Sequence, residues 1–291
     1  MIMKRKSGGR FYHLYIKGLE DSLIFHDRED YIVGMNYVAL CTFCTNISML
    51  AFTLMSNHFH FIVYGTPAEA KKFIDLYKQH VSVYIHKKYG TVSLLKHVNT
   101  GCKEIENIGD ALKIAIAYVL RNHIKAGINQ YVQGYEWSSG YCYFAGTDLL
   151  EDTRPVSELG VRKYNKVMHS KIRLDDNFRI NSKGYIEPAS YVCIQFVESC
   201  FGKVQSLDYF IYKATGARPK DGPMDFSDEL VLGGLREIIG KKYDETEIDR
   251  LDGMLKKEVM LMLKRQFNCS PKQLARVMRM SLKDVASMLA V

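Results

Sequence analysis

The hydrophobic pattern of the first 65 residues alternates between strand-like and helix-like segments. Residues 10–17 (RFYHLYIK) are rich in aromatic side chains, which predicts a strand. Asp27 is a common helix-capping residue, and apolar residues recur after it at helical spacing, which predicts a first helix. Two β-prone runs at 47–55 and 58–64 are separated by Ser56-Asn57, a sequence typical of turns, and therefore predict a hairpin.

The following segment carries several signals for the start of a helix. Thr66 is a capping residue, Pro67 suits the first helical position, and Glu69 completes a capping box. We expect this second helix to end at Gly90 and a fourth strand to occupy residues 91–98. The order β-α-β-β-α-β is typical of ferredoxin-like domains, so the sequence predicts an α+β fold of that kind.

The rest of the chain is predicted to be mostly helical. One helix is expected over residues 109–126, where Gly127 would end it. The stretch 150–185 is polar and charged, which favours a division into residues 1–150 and 151–291. Helical periodicity then predicts helices at 188–201, 227–240 and 246–267 and a closing pair within 270–289.

The closing pair resembles a helix-turn-helix. Ser270 and Ser281 are suitable N-caps, and Arg279 stands in the region where the turn glycine is usual. The basic residues suited to duplex DNA are Lys272, Arg276, Arg279 and Lys283. The alternative is an ordinary helical hairpin that closes a hydrophobic core.

Composition narrows the class of partner and the compartment. The 291 residues have a formal net charge of +8 and a pI of about 9.0, which favours a polyanionic partner. No run approaches the roughly 18–20 apolar residues of a membrane helix, and the basic start lacks the apolar stretch of a signal peptide. Seven cysteines, an odd number, fit a reducing compartment, so we expect a cytoplasmic, nucleoid-associated protein. Cys41 and Cys44 form a single CxxC, for which we expect burial rather than zinc binding.

The most informative segment is NHFHFIV, residues 57–63. Side chains alternate between the two faces of a strand, so His58 and His60 share one face while Phe59 and Phe61 share the other. Two imidazoles directed to one place form half of a divalent-metal site. The alternative is a pair of hydrogen-bonded structural histidines.

A second pair of polar residues lies on the helix predicted over 109–126. Tyr118 and Asn122 are four residues apart and therefore share a helical face. If that face covers the histidine strand, one site would hold two imidazoles, an amide oxygen and a phenol. Such a site suits phosphodiester transesterification, in which a tyrosine attacks phosphorus and a Mg²⁺ or Mn²⁺ ion stabilises the developing charge. Considered alone, Tyr118 is one of 19 tyrosines and could belong to the core, and Asn122 could cap a helix end.

Five segments, in this order and spacing, match a known pattern. They are FYHLY with KG (residues 11–15 and 17–18), LMSNHFHFIV (54–63), YVLRN (118–122), KAG (125–127) and YEWSS (135–139). On these segments the chain resembles the single-tyrosine HUH transposases, specifically the REP-associated tyrosine transposases, over about half its length.

The resemblance implies specific roles and a specific reaction. His58 and His60 would be the metal ligands of the HUH motif, Asn122 the third ligand and Tyr118 the nucleophile. The family cleaves single-stranded DNA beside hairpins and leaves a 5′-phosphotyrosine and a free 3′-hydroxyl. Where the family usually has Asn-Pro, this chain has Asn122-His123, so the helix is free to continue and to shift Asn122.

Other interpretations remain open at this point. One is a DNA-binding regulator without catalytic activity, which relies on the C-terminal helices. Another is a metal-dependent hydrolase in which His58 and His60 activate water and Tyr118 is incidental. We expect His13, His80 and His123 to be structural or solvated. The oligomeric state, monomer or homodimer, is left open by the sequence.

Overall fold

The computed structural model describes residues 3, 6–17, 19–90, 95, 98–106, 109–214 and 225–290. Its larger sheet is antiparallel and has the strand order β2-β3-β1-β4. The strands are β1 (Arg10–Ile16), β2 (Ser48–Met55), β3 (His58–Gly65) and β4 (Thr100–Ile105). Because β3 lies between β1 and β2 and runs antiparallel to both, the arrangement is the split β-α-β of ferredoxin-like domains. The predicted α+β fold class is confirmed.

The helices divide between the N-terminal sheet and a mostly helical C-terminal region. The helices are α1 (Arg28–Thr45), α2 (Pro67–Tyr89), α3 (Asp110–Leu120), α4 (Asn122–Lys125), α5 (Val161–Met168), α6 (Ile194–Phe201), α7 (Val204–Asp208), α8 (Asp228–Tyr243), α9 (Gly253–Phe267), α10 (Pro271–Met278) and α11 (Leu282–Leu289). A π-helical turn (Tyr209–Ala214) follows α7, and a short two-stranded sheet pairs β5 (Arg154–Pro155) with β6 (Arg179–Ile180). Within the described part of the chain, no helix combines the length and apolar character needed to cross a membrane.

Helices cover both faces of the larger sheet. On one face, the ring of Tyr77 in α2 lies 4.8 Å from that of Phe59 and 4.9 Å from that of Phe61. On the other face, the Thr53 hydroxyl of β2 donates to the Val119 carbonyl of α3 at 2.9 Å. Thr53 pairs with His60 across the two strands, so α3 lies over the histidine face of the sheet.

The predicted helix starts are confirmed. The side chain of Asp27 accepts a hydrogen bond from Asp30 N and caps α1. At α2, Glu69 N donates to Thr66 Oγ1 at 3.3 Å and Thr66 N donates to Glu69 Oε2 at 2.9 Å, which completes the capping box. Gly90 ends α2 with a φ of 65°, in the left-handed region that favours glycine.

The fourth strand of the larger sheet is Thr100–Ile105. The strand predicted at 91–98 falls mostly on residues 91–94, 96 and 97, which lie outside the described residues. The observed fourth strand pairs with β1 so closely that a Cβ on Gly101 would lie 2.3 Å from the ring of Tyr15. The absence of a side chain at Gly101 therefore permits this register.

The helix expected over 109–126 is divided at Arg121, where ψ is −2°. The side-chain amide of Asn122 donates to the carbonyls of Tyr118, at 2.8 Å, and Val119, at 3.0 Å. These carbonyls would accept backbone N–H groups in a continuous helix, so the asparagine competes with the helical ladder and ends α3.

The loop after α4 covers the free edge of β2. Leu54 N donates to Trp137 O at 2.8 Å, and Ser139 N donates to Phe52 O at 3.0 Å. The Trp137 ring stacks on Tyr31 at 4.9 Å and carries the Arg28 guanidinium at 5.0 Å. This loop therefore satisfies backbone groups that an edge strand would otherwise expose.

The described side chains form two hydrophobic clusters. The first combines the sheet and its helices with later residues as far as Ile211. The second contains α8 to α11, with side chains from Val231 to Val285, and includes Leu23 from the N-terminal part. The predicted division at residue 150 stays a prediction, and the two clusters favour a division after Ile211.

Candidate active site

The two histidines of β3 lie side by side on the face covered by α3. Their ring centroids are 5.2 Å apart and the ring planes are nearly perpendicular, at 84°. His60 is buried and His58, at the start of the strand, is half-buried. Strand alternation thus places both imidazoles in one cleft, as the sequence predicts.

One nitrogen of each imidazole already has a partner within the protein. His58 Nδ1 lies 2.7 Å from Asn57 Oδ1, and His60 Nδ1 lies 3.0 Å from His13 Nε2. The Asn57 amide is oriented by its donation to Leu19 O at 2.6 Å, so its oxygen accepts the proton of His58. Nε2 of His58 is therefore the nitrogen with a free lone pair. Nε2 of His60 also has a free lone pair when His60 Nδ1–H donates to His13.

The local environment keeps these imidazoles neutral. Burial lowers the pKa of His58 to about 4, although the neighbouring Asn122 side chain acts in the opposite direction. Burial, and then the neighbouring His58 and His13, lower the pKa of His60 to about 2. Burial and then Lys103 lower the pKa of His13 to about 4. Because these pKa values lie well below 7, all three rings are neutral at neutral pH. The neutral imidazole is the form that binds a metal.

Tyr118, at the end of α3, lies next to this histidine group. Its ring centroid is 5.6 Å from those of both His60 and His13, with the rings edge to face. The guanidinium of Arg121 lies 5.3 Å from the centre of the tyrosine ring. Tyr118 is 37% exposed, so the phenol is accessible from the cleft rather than part of the core.

Asn122 begins α4, one turn after Tyr118, and lines the same cleft as His58. Its amide nitrogen is occupied by the carbonyls of Tyr118 and Val119. The amide oxygen is the remaining acceptor of this side chain. The division of the predicted helix thus leaves Asn122 beside the histidines.

These residues fit a divalent cation, although the set contains no carboxylate. Among the residues that the structure describes, no group of three or more His, Cys, Asp and Glu could hold a metal ion. The protein ligands would be the neutral imidazoles of His58 and His60 and the amide oxygen of Asn122. Water or phosphate oxygens would occupy the remaining coordination positions of the ion. Imidazole and oxygen ligands together are compatible with Mn²⁺ or Mg²⁺.

Two residues of the site were not identified from the sequence. His13, which we expected to be structural, contacts His60, and Tyr15 pairs with His60 across the strands with the rings 5.8 Å apart. In the sequence, His13 and Tyr15 are two residues apart on β1 and therefore share a face of that strand. That this face lies beside His60 follows only from the pairing of β1 with β3, which the sequence pattern does not reveal. By contrast, His123 is buried, stacks on Tyr135 at 4.6 Å and does not line the cleft.

The cleft has a volume of about 780 Å³ and two walls. The first wall is formed by the sheet and by α3 and α4, with Tyr15, His58, His60, Tyr118, Asn122 and Lys125. The second is formed by the C-terminal helices, with Asp228, Asn268, Ser270, Lys272, Gln273 and Arg276. The site predicted from residues 1–150 thus also involves the far end of the chain.

Comparison with known proteins gave one structural similarity. No protein-family model matches the chain, and no curated protein matches it. A solved structure, described as a REP-associated tyrosine transposase bound to a REP hairpin, is 13% identical to this chain and aligns over 50% of it. The alignment covers 86% of that transposase, with a TM-score of 0.35.

Proposed function

We propose that this protein is a metal-dependent endonuclease and transposase that cleaves and rejoins single-stranded DNA beside hairpins. The observation that carries the proposal is the position of Tyr118. Its ring centroid lies 5.6 Å from those of His60 and His13. The cleft that it lines also contains His58 and Asn122. The sequence segments that resemble the REP-associated tyrosine transposases support DNA as the substrate.

Tyr118 acts as the nucleophile. Its hydroxyl oxygen forms a bond to phosphorus, and the bond from phosphorus to the DNA 3′-oxygen breaks. The phenolic proton is lost and the departing 3′-oxygen gains one, so the products are a 5′-phosphotyrosine and a free 3′-hydroxyl. In the reverse direction, a 3′-hydroxyl attacks the phosphotyrosine and restores a phosphodiester, which requires no nucleotide cofactor.

His58, His60 and Asn122 hold the metal ion in this proposal. A bound Mg²⁺ or Mn²⁺ ion supplies charge stabilisation at the phosphoryl oxygens. His13 and Asn57 each hold the second nitrogen of a ligand imidazole and so restrict rotation of the ring. Arg121, whose guanidinium lies 5.3 Å from the centre of the Tyr118 ring, is a further cation beside the nucleophile.

The test is the incubation of labelled single-stranded DNA that contains a hairpin with the full-length protein and Mg²⁺ or Mn²⁺. We expect a covalent protein–DNA adduct that survives denaturation and is absent from Tyr118→Phe. Tyr131→Phe is the matched control, because Tyr131 is also exposed but does not line the cleft. Cleavage without an adduct in Tyr118→Phe would indicate a hydrolase that uses the two histidines. DNA binding without cleavage under either metal would indicate a regulator.

A further inference from the structure

A single buried carboxylate joins the C-terminal helices to the histidine hairpin. Asp228, the first residue of α8, accepts a hydrogen bond from Ser56 Oγ at 2.7 Å. It also accepts from Arg276 Nε at 2.8 Å and Nη2 at 3.1 Å. Ser56 lies in the turn just before His58, and Arg276 belongs to α10, so Asp228 fixes α10 next to the metal-ligand strand.

Additional contacts hold the same interface. Asp225 N donates to Gly127 O at 2.9 Å, which is a contact between the two parts. Within the C-terminal part, Gln273 Nε2 donates to the neighbouring Phe226 O at 2.7 Å and so ties α10 to the segment that makes this contact. Leu23, from the segment between β1 and α1, packs into the second hydrophobic cluster. The C-terminal helices are therefore attached at several points, and α10 faces the cleft.

Both walls of the cleft carry lysines. Lys17 and Lys125 lie on the first wall and Lys272 on the second. All three are exposed, and none forms an ion pair with a carboxylate of the described chain. Arg276 also lines the cleft, but Asp228 balances its charge, and Asp225 is a second carboxylate of the lining, so the three lysines leave a smaller positive excess. An excess of positive charge on two facing walls is suited to the phosphate backbone of a strand that passes between them.

The surface expected to bind duplex DNA is less suitable. Arg279 lies 3.6 Å from Glu247 and 3.9 Å from Asp249, which reduces its field. Helix α11, in the position of a recognition helix, carries one basic residue, Lys283, next to the acidic Asp284. The basic side chains of α10 face the nuclease cleft instead of an open surface.

We propose that α10 is the second DNA-binding wall of the nuclease and that Lys272 contacts the backbone phosphates of the single strand opposite His58. The C-terminal helices are then part of the strand-binding site and not an independent reader of duplex DNA. The proposal rests on the proposed function, because it assigns a binding surface to the same substrate.

The experiment compares two exposed lysines of the same helical unit. Full-length Lys272→Glu and Lys283→Glu are titrated, in EDTA so that no cleavage occurs, against a fluorescent single-stranded hairpin oligonucleotide and against a blunt duplex. We expect Lys272→Glu to bind the single strand about tenfold more weakly at moderate salt, with a salt slope smaller by about 0.7. Lys283→Glu should bind it like the unaltered protein, and Lys125→Glu should reproduce the loss from the opposite wall.

Equal loss in Lys272→Glu and Lys283→Glu, or no loss in Lys272→Glu, would overturn the proposal. A loss confined to duplex binding in Lys283→Glu would instead support the helix-turn-helix interpretation. Thermal melting of each variant checks that it is folded. The binding assay is independent of cleavage, so a failure of the adduct assay with intact binding would count against the chemistry of Tyr118 and not against the second wall.

Discussion

The two faces of β3 are made by alternate residues of one strand, yet their environments differ completely. Phe59 and Phe61 point to α2 and are fully buried among aromatic rings. His58 and His60 point to α3 and to a cleft with polar neighbours. The apolar face fixes the strand in place, and the histidine face can therefore hold reactive groups without contributing much to the core.

The sharpest test of this difference is substitution on the histidine face. We expect His60→Ala and His58→Ala each to abolish the covalent adduct, because each removes one of the two proposed imidazole ligands. Binding of the single strand in EDTA should change little. The measurements are adduct formation on denaturing gels and fluorescence anisotropy. If binding is lost together with cleavage, the histidines have a structural role and the comparison fails.

The next largest effect is expected on the other face of the same strand. Phe61→Ala should reduce the free energy of unfolding by about 3–5 kcal/mol, because it creates a cavity among rings of α2. Chemical denaturation measures this change. His58→Ala is the matched variant and should lose far less stability because His58 is half-buried. Similar losses for both would mean that the two faces share one structural function.

A smaller effect is expected at His13, which lies behind the proposed ligand His60. His13→Ala should weaken metal activation by about 10–100-fold, because His60 loses the partner that orients its ring. A titration of adduct formation with Mn²⁺ would show the shift, and excess metal should restore much of the activity. His80→Ala is the control, since His80 packs on Tyr37, away from the cleft. A loss that no metal concentration restores would contradict a positioning role.

Helix starts and the faces of β3 could be predicted because they depend on neighbouring residues. Thr66, Pro67 and Glu69 form their capping box within one turn, and the alternation of His58 and His60 is a property of any strand. The contact of His13 with His60 could not be found in this way, since it depends on how two strands distant in sequence pair.

The division of the helix at Arg121 and the position of α10 were also beyond the sequence patterns. Asn122 has the same spacing from Tyr118 in a continuous helix as in a divided one, so periodicity does not reveal which carbonyls its amide binds. The approach of Arg276 to the cleft depends on Asp228, a carboxylate that looks like an ordinary residue of a helix start. Its partners are 172 and 48 residues away in the chain.

The interface at Asp228 gives a smaller stability effect. Asp228→Ala should lower the free energy of unfolding by about 2 kcal/mol, because Arg276 and Ser56 both lose their partner in a partly buried site. Denaturation of the full-length protein measures the change. Glu237→Ala, which removes an exposed ion pair on the same helix, is the control and should change stability little. Equal effects would show that the interface contributes no more than an exposed pair.

The smallest effect is expected at Arg279, which ends α10 with a φ of 55°. Arg279→Gly should raise the free energy of unfolding by about 0.5 kcal/mol, because glycine adopts this left-handed conformation without strain. The loss of the weak ion pairs of Arg279 offsets part of this gain. Thermal melting detects a shift of this size. A decrease in stability would show that the contacts of Arg279 with Glu247 and Asp249 outweigh the backbone strain.

The link from Ser56 through Asp228 to Arg276 also has a consequence for the order in which the protein becomes functional during synthesis. A ribosome adds about 5–20 residues per second, so α10 emerges on the order of ten seconds after Tyr118 and Asn122. During that interval the nascent chain holds the histidine group and the phenol but lacks the second wall of the proposed DNA-binding groove. If the proposal is right, the complete groove forms only after α10 has been synthesised.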